Sequence, residues 1–188
     1  PAGPRSNGGG RVALPPGHTA PTYVNNVIVI MSLLYLQASL VKTTALLSVK
    51  GHHFYAPMLN RNSIVVDLGA HVGEFAQYVS ASFGCRCYAV EASPELYARI
   101  PESPLIERLN YAIAEDEGPV VFELCENPEM NHVSAALPVQ SQGRRITVPG
   151  VNLESLLVQY KIGEIDLLKV DIEGSEIGMF DGLSDERL

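Results

Sequence analysis

Cysteine is scarce in this chain of 188 residues, with three in all. An odd number that small cannot build a disulfide framework, so a reducing compartment is expected and the cytoplasm is the natural assignment. Cys85 and Cys87 alternate along a predicted strand and so share one face, and Cys125 stands in another; the spacing lacks the pattern of a zinc site, so all three read as small apolar side chains, with metal binding the minor option. Basic residues are also few. Lys and Arg number 13 against 21 acids, for a net charge of −8, so the chain lacks the basic face that phosphate backbones require, and nucleic acid is not an expected partner. A small or neutral substrate fits the balance better.

Long apolar runs are missing too. The strongest, Val27 to Leu36, is broken by Ser32, preceded by Asn25 and Asn26, and followed by Gln37, Ser39 and Lys42. It falls short of the roughly 18 residues that read as a membrane span. A buried or partly buried helix is expected there, with membrane contact through it as the minor alternative. A signal peptide is weakly supported, because no Arg/Lys-rich start precedes the run. Pro1 to Pro21 hold Gly8-Gly9-Gly10 and Pro15-Pro16 and read as a tail. The expected division is a tail over 1–22, a helical segment over 23–61 and a main domain over 62–188. Pro rather than Met at position 1 reads as a piece of a longer chain.

What remains is a globular α/β composition, 46% hydrophobic and 18% charged, of a length that suits one domain. Its organising stretch is Ser63-Ile64-Val65-Val66-Asp67-Leu68-Gly69-Ala70-His71-Val72-Gly73-Glu74-Phe75. A β-branched run reaches an acid and two spaced glycines before a helical pattern begins, which makes a buried strand, a tight loop and a helix start. Glycines there allow the backbone to approach a nucleotide-like ligand closely. The spacing is Asp-x-Gly-x-x-x-Gly, so a carboxylate stands where a dinucleotide fingerprint has its first glycine. A carboxylate repels pyrophosphate but suits the sulfonium and amino group of S-adenosyl-L-methionine. Asp67, Gly69, Ala70, His71 and Gly73 are therefore the expected cofactor loop.

Phe75, Tyr78, Val79 and Phe83 follow at helical spacing up to Gly84, a predicted cap, and read as a core face. Phe75, at the helix start, is also a candidate for the cofactor side. His52 and His53 are adjacent and would point to opposite sides of an extended segment, which makes them poor joint ligands; they read as surface or packing residues, in a segment that can pass near the cofactor. Arg86 to Glu91 reads as the second strand, ending in an acid 18 residues past Gly73, where nucleotide-binding α/β folds place a ribose-hydroxyl acceptor. Ser93 and Pro94 then start a helix.

Leu105 to Ala114 reads as a third strand and Val120 to Cys125 as its hairpin partner. Asn110 and Ala112 fall where the strand end would line the adenine side, with mid-strand packing an equal alternative. Glu126 to Arg145 reads as a substrate loop in which His132 and Ser134 are weaker candidates. Asn152 caps a further helix with Gly163 after it. Finally, Ile165 to Glu176 repeats the pattern of apolar strand, carboxylates and glycine turn, and brings Asp171, Glu173 and Glu176 to the edge that holds the first loop. An oxygen cluster for a divalent cation is the minor reading of these acids.

Four ordered stretches carry a resemblance: Asp67 to Gly73, Glu91, Leu153 to Leu157, and Asp166-Leu167-Leu168-Lys169-Val170-Asp171-Ile172-Glu173-Gly174-Ser175-Glu176. Together, over about Asn62 to Leu183, they resemble the FkbM methyltransferases. His71, Ala92 and Glu154 depart from the common Asn, Pro and Asp of that family, without loss of a needed charge. The resemblance implies an α/β, Rossmann-like class I methyltransferase sheet with flanking helices, truncated here after the fourth core strand. It further implies S-adenosyl-L-methionine as cofactor and a small-molecule, glycan or lipid-linked hydroxyl as acceptor. In that mechanism Asp171 acts as general base or orients the nucleophile, and Glu173 shapes the same pocket. A non-catalytic cofactor-binding fragment and an NAD(P)-dependent oxidoreductase are the alternatives.

Overall fold

The computed structural model describes residues 28–31, 45–125, 132–133, 144–172 and 175–181. Its main sheet holds β1 (Ile28–Met31), β4 (Ile64–Leu68), β5 (Arg86–Val90), β6 (Ile106–Leu109) and β11 (Leu167–Val170), in the order β1-β11-β4-β5-β6. Every neighbouring pair is parallel. The central strands are apolar almost throughout because both faces are covered, as all-parallel sheets require. Alternation sorts their side chains between two cores. Val66, Leu68, Tyr88, Val90, Leu168 and Val170 face α3 (Leu153–Gln159) and α4 (Glu176–Asp181). Val65, Cys87, Ala89 and Leu167 face α1 (Glu74–Phe83), together with Phe54 and Leu59.

The same alternation puts Asp67 and Lys169 on the α1 side, opposite each other across β4 and β11, with Asp171 just beyond the end of β11. Caps fall where the sequence places them. Ser93 accepts from the Leu96 amide at the start of α2 (Pro94–Tyr97), Asn152 accepts from that of Ser155, and Gly84 closes α1. Cys85 and Cys87 share the α1 face as expected, and burial pushes both thiols up in pKa, which keeps them inert.

Several expectations are corrected. Residues 28–31 form a strand, not part of a helix: Val27 to Ile30 are β-branched, and a short apolar run with an open sheet edge beside β11 favours extended pairing. The rest of the described N-terminal segment is not helical either. It forms a hairpin of β2 (Leu46–Val49) and β3 (His52–Tyr55), followed by a 3-10 turn at Ala56–Met58. Residues 32–44 lie outside the described residues.

The third strand stops at Leu109, because the Asn110 side chain donates to the carbonyls of Glu91 (2.7 Å) and Ala92 (3.1 Å) and draws the chain out of the sheet. The expected hairpin with 120–125 does not form. Instead a second sheet has the order β7-β10-β8-β9, with β7 (Ala112–Ile113) parallel to β10 (Arg144–Val151), and β8 (Gly118–Leu124) antiparallel to both β10 and β9 (His132–Val133). Tyr78 is exposed rather than core. α3 turns out through Lys161, at φ 55, ahead of Gly163. No helix among the described residues is long and apolar enough to cross a membrane.

Gly69 and Gly73 both have positive φ, 75° and 78°. A Cβ on Gly69 would lie 1.8 Å from the Asp171 carbonyl oxygen, whereas one on Gly73 would meet the Ile100 side chain at 2.8 Å. Backbone cannot yield as a side-chain methyl can. Gly69→Ala is therefore expected to cost well over about 1 kcal/mol and to exceed Gly73→Ala, a ranking that urea melts of both variants will read.

Candidate functional site

The carboxyl ends of β4, β5 and β11 are tied by backbone bonds. The amides of Gly69 and Ala70 donate to the Val90 carbonyl at 3.0 and 2.9 Å, and the Asp171 amide donates to that of Leu68 at 3.0 Å. Above this junction lies a cavity of about 320 Å³, within the size range of small-ligand pockets. The glycine loop, the start of α1, the β2–β3 turn, and β7 and β8 of the second sheet enclose it.

Of the expected cofactor residues, Gly69, Ala70, His71, Phe75, Glu91 and Ala112 line the cavity. Gly73 supports the loop from behind as the left-handed residue before α1. His71 itself adopts φ 54, a conformation that Asn tolerates best and His better than most; the backbone thus accounts for the exchange at this position. Glu91 is buried, and its carboxylate accepts from the amides of His71 and Ser93, each at 2.8 Å. Burial dominates those contacts and raises its pKa to about 7.

Two expected ligand contacts sit elsewhere. Asn110 is engaged with the loop after β5 and does not line the cavity. Asp67 is fully buried beneath the loop, with Lys169 Nζ 2.9 Å from its Oδ1. The ammonium of Lys169 also donates to the carbonyls of Gly69 (2.8 Å) and Leu68 (3.4 Å), and lies 3.7 Å from Asp171 Oδ2. Asp67 therefore acts on the site through Lys169, because a buried carboxylate next to an ammonium pairs before it can meet a ligand.

Asp171 lines the cavity with its side chain 31% exposed, and His52 Nε2 lies 3.3 Å from Oδ2. Burial alone would raise the Asp171 pKa, but the contacts from His52 and Lys169 outweigh it and hold the carboxyl below its ordinary value. Glu173 and Ser134 lie outside the described residues, as does the side chain of His132. No group of three or more metal-ligating side chains gathers among the described residues.

The sequence reading missed the apolar wall from the second sheet, Ile113, Phe122 and Val133, and underweighted His52. Alternation in β3 was the available signal, since His52 and Phe54 turn inward while His53 and Tyr55 face out. Ser175 is also in the wall, buried, with no hydrogen-bond partner for its hydroxyl among the described residues. An acid with free acceptor capacity and an unpartnered hydroxyl in one cavity wall suit a ribose-bearing cation, so the residues present fit S-adenosyl-L-methionine.

A family model described as the methyltransferase FkbM domain matches residues 67–188. No curated protein and no solved structure matches the chain.

Removing one partner of the Asp67–Lys169 pair strands the other in the core. Lys169→Met should cost about 3–5 kcal/mol in chemical denaturation, and the double change Asp67→Leu with Lys169→Met should recover much of that loss. A single-variant cost below about 1 kcal/mol would show that water reaches the pair.

Proposed function

The chain belongs to the FkbM methyltransferase family, and from that premise we propose that it binds S-adenosyl-L-methionine in the cavity above β4, β5 and β11 and methylates a hydroxyl oxygen. A small-molecule, sugar or lipid-linked acceptor is the proposed substrate class. The observation that carries the reading is that Glu91, beyond β5, and Asp171, beyond β11, line one cavity together with the Gly69 loop that follows β4 between them.

When bound, the cofactor supplies an electrophilic methyl group on a cationic sulfur. Glu91, already oriented by two amides, has acceptor capacity left for ribose hydroxyls. The ligand lies over the Gly69–Ala70 turn, and Phe75, Ile113 and Phe122 exclude water from around it. Asp171, held ionised, offsets positive charge and accepts a hydrogen bond from an acceptor hydroxyl, which aligns that oxygen for attack. A carboxyl with a lowered pKa is a weak base, so its contribution is chiefly alignment; as the oxygen–methyl bond forms, the sulfur–methyl bond would break and the hydroxyl proton would pass to solvent. Lys169 and Asp67 keep that carboxylate and the loop carbonyls in place from below.

Calorimetry with S-adenosylhomocysteine and with NAD tests the reading. Binding of the first alone is the expected result; binding of NAD alone would make the chain an oxidoreductase, and binding of neither would make it an inactive fragment without a working cofactor site. Glu91 adds a pH signature. Because hydroxyls donate to the ionised carboxylate, affinity should rise as pH rises through about 7, and Glu91→Gln should weaken binding about ten-fold and flatten the profile. Stability runs the other way. The folded protein keeps a proton that the unfolded chain releases from about pH 4.5, so the conformation loses stability as pH rises from 4.5 to about 7.

A further inference from the structure

We propose that His52 is a positioning residue of the cofactor site, which sets the Asp171 carboxylate on the cavity wall and makes the β2–β3 hairpin a working part of the site. His52 precedes the segment that matches the family, 67–188, so the family's own motifs do not provide this contact.

The geometry carries the inference. His52 is buried at 7% exposure, while Asp171 presents 31% of its side chain. Both side chains line the cavity, and the carboxylate is the more exposed of the two, with the imidazole packed against it. Both neighbouring donors, His52 Nε2 at 3.3 Å and Lys169 Nζ at 3.7 Å, approach the same oxygen, Oδ2. Two donors from different elements, β3 and β11, restrict the rotation that a lone aspartate beyond a strand end would keep.

The ring itself is held. It packs edge-on against Phe75, with centroids 6.0 Å apart, and Phe75 is in turn packed by Phe54 at 5.7 Å. At the tip of the hairpin, Lys50 Nζ lies 2.6 Å from Glu74 Oε2, at the start of α1. The hairpin is therefore anchored on both sides of His52. For a cationic ligand, a carboxylate already aimed at the cavity avoids the entropic cost of being ordered on binding.

The proposal rests on the methyltransferase reading, and its test uses binding rather than turnover. S-adenosyl-L-methionine is titrated calorimetrically into the full chain and into His52→Phe, His52→Gln, Asp171→Asn and the His52→Phe/Asp171→Asn double variant. Asp171→Asn is expected to weaken binding about ten-fold and His52→Phe about three- to ten-fold, with no further loss in the double variant. His52→Gln, which retains a donor, should stay within about three-fold of the parent. In labelled-histidine NMR, the Nε2 proton of His52 should be visible in the parent and lost to exchange in Asp171→Asn.

Equal losses from His52→Phe in the parent and in the Asp171→Asn background would overturn the proposal, as would unchanged affinity in His52→Phe. A parent chain that binds no S-adenosyl-L-methionine would overturn the methyltransferase reading and this proposal together, a result distinct from either of those.

Discussion

Everything at the carboxyl edge of the sheet depends on one buried ammonium. Lys169 enters from β11 with 3% exposure and is surrounded by oxygens: Asp67 from the neighbouring strand, the carbonyls of Leu68 and Gly69, and Asp171 beyond its own strand. Desolvating such a group costs several kcal/mol, and only converging partners can offset that cost. Their convergence ties the glycine loop to the end of β11. It also explains why the Asp171 backbone comes so close to Gly69 that no side chain fits between them.

The site above is built by dividing tasks between layers. The parallel sheet supplies the polar floor and the two carboxylates, Glu91 and Asp171, whose surroundings push their pKa values in opposite directions. Burial controls the first, and the contacts from His52 and Lys169 control the second. The second sheet supplies apolar walls, and the hairpin before β4 supplies His52 and Lys50. Asn110 makes this arrangement possible from outside the cavity: by gripping the loop after β5 it ends the main sheet and sends the chain into the second one.

Much of this was legible in the linear chain because it follows from local rules. The run Ser63 to Phe75 specifies a strand, a tight loop and a helix; Ser93 and Asn152 announce their helices; and an apolar strand followed by Asp171 repeats the first motif. The placement of Glu91 at a strand end was legible for the same reason. Val27 to Leu36 was not, because a short β-branched run is compatible with either helix or strand until a partner strand is present.

By itself, then, the sequence determined the α/β alternation, the loop glycines and the acids that reach the sheet edge, since periodicity and turn chemistry are properties of neighbours along the chain. Only the tertiary structure decided which acid reaches the cavity. Asp67 and Asp171 both stand at strand ends, yet Lys169 buries one beneath the loop and steadies the other at the cavity. That difference, like the meeting of His52 with Asp171, comes from residues distant along the chain packing in one low-dielectric space, where each charge must find its partner.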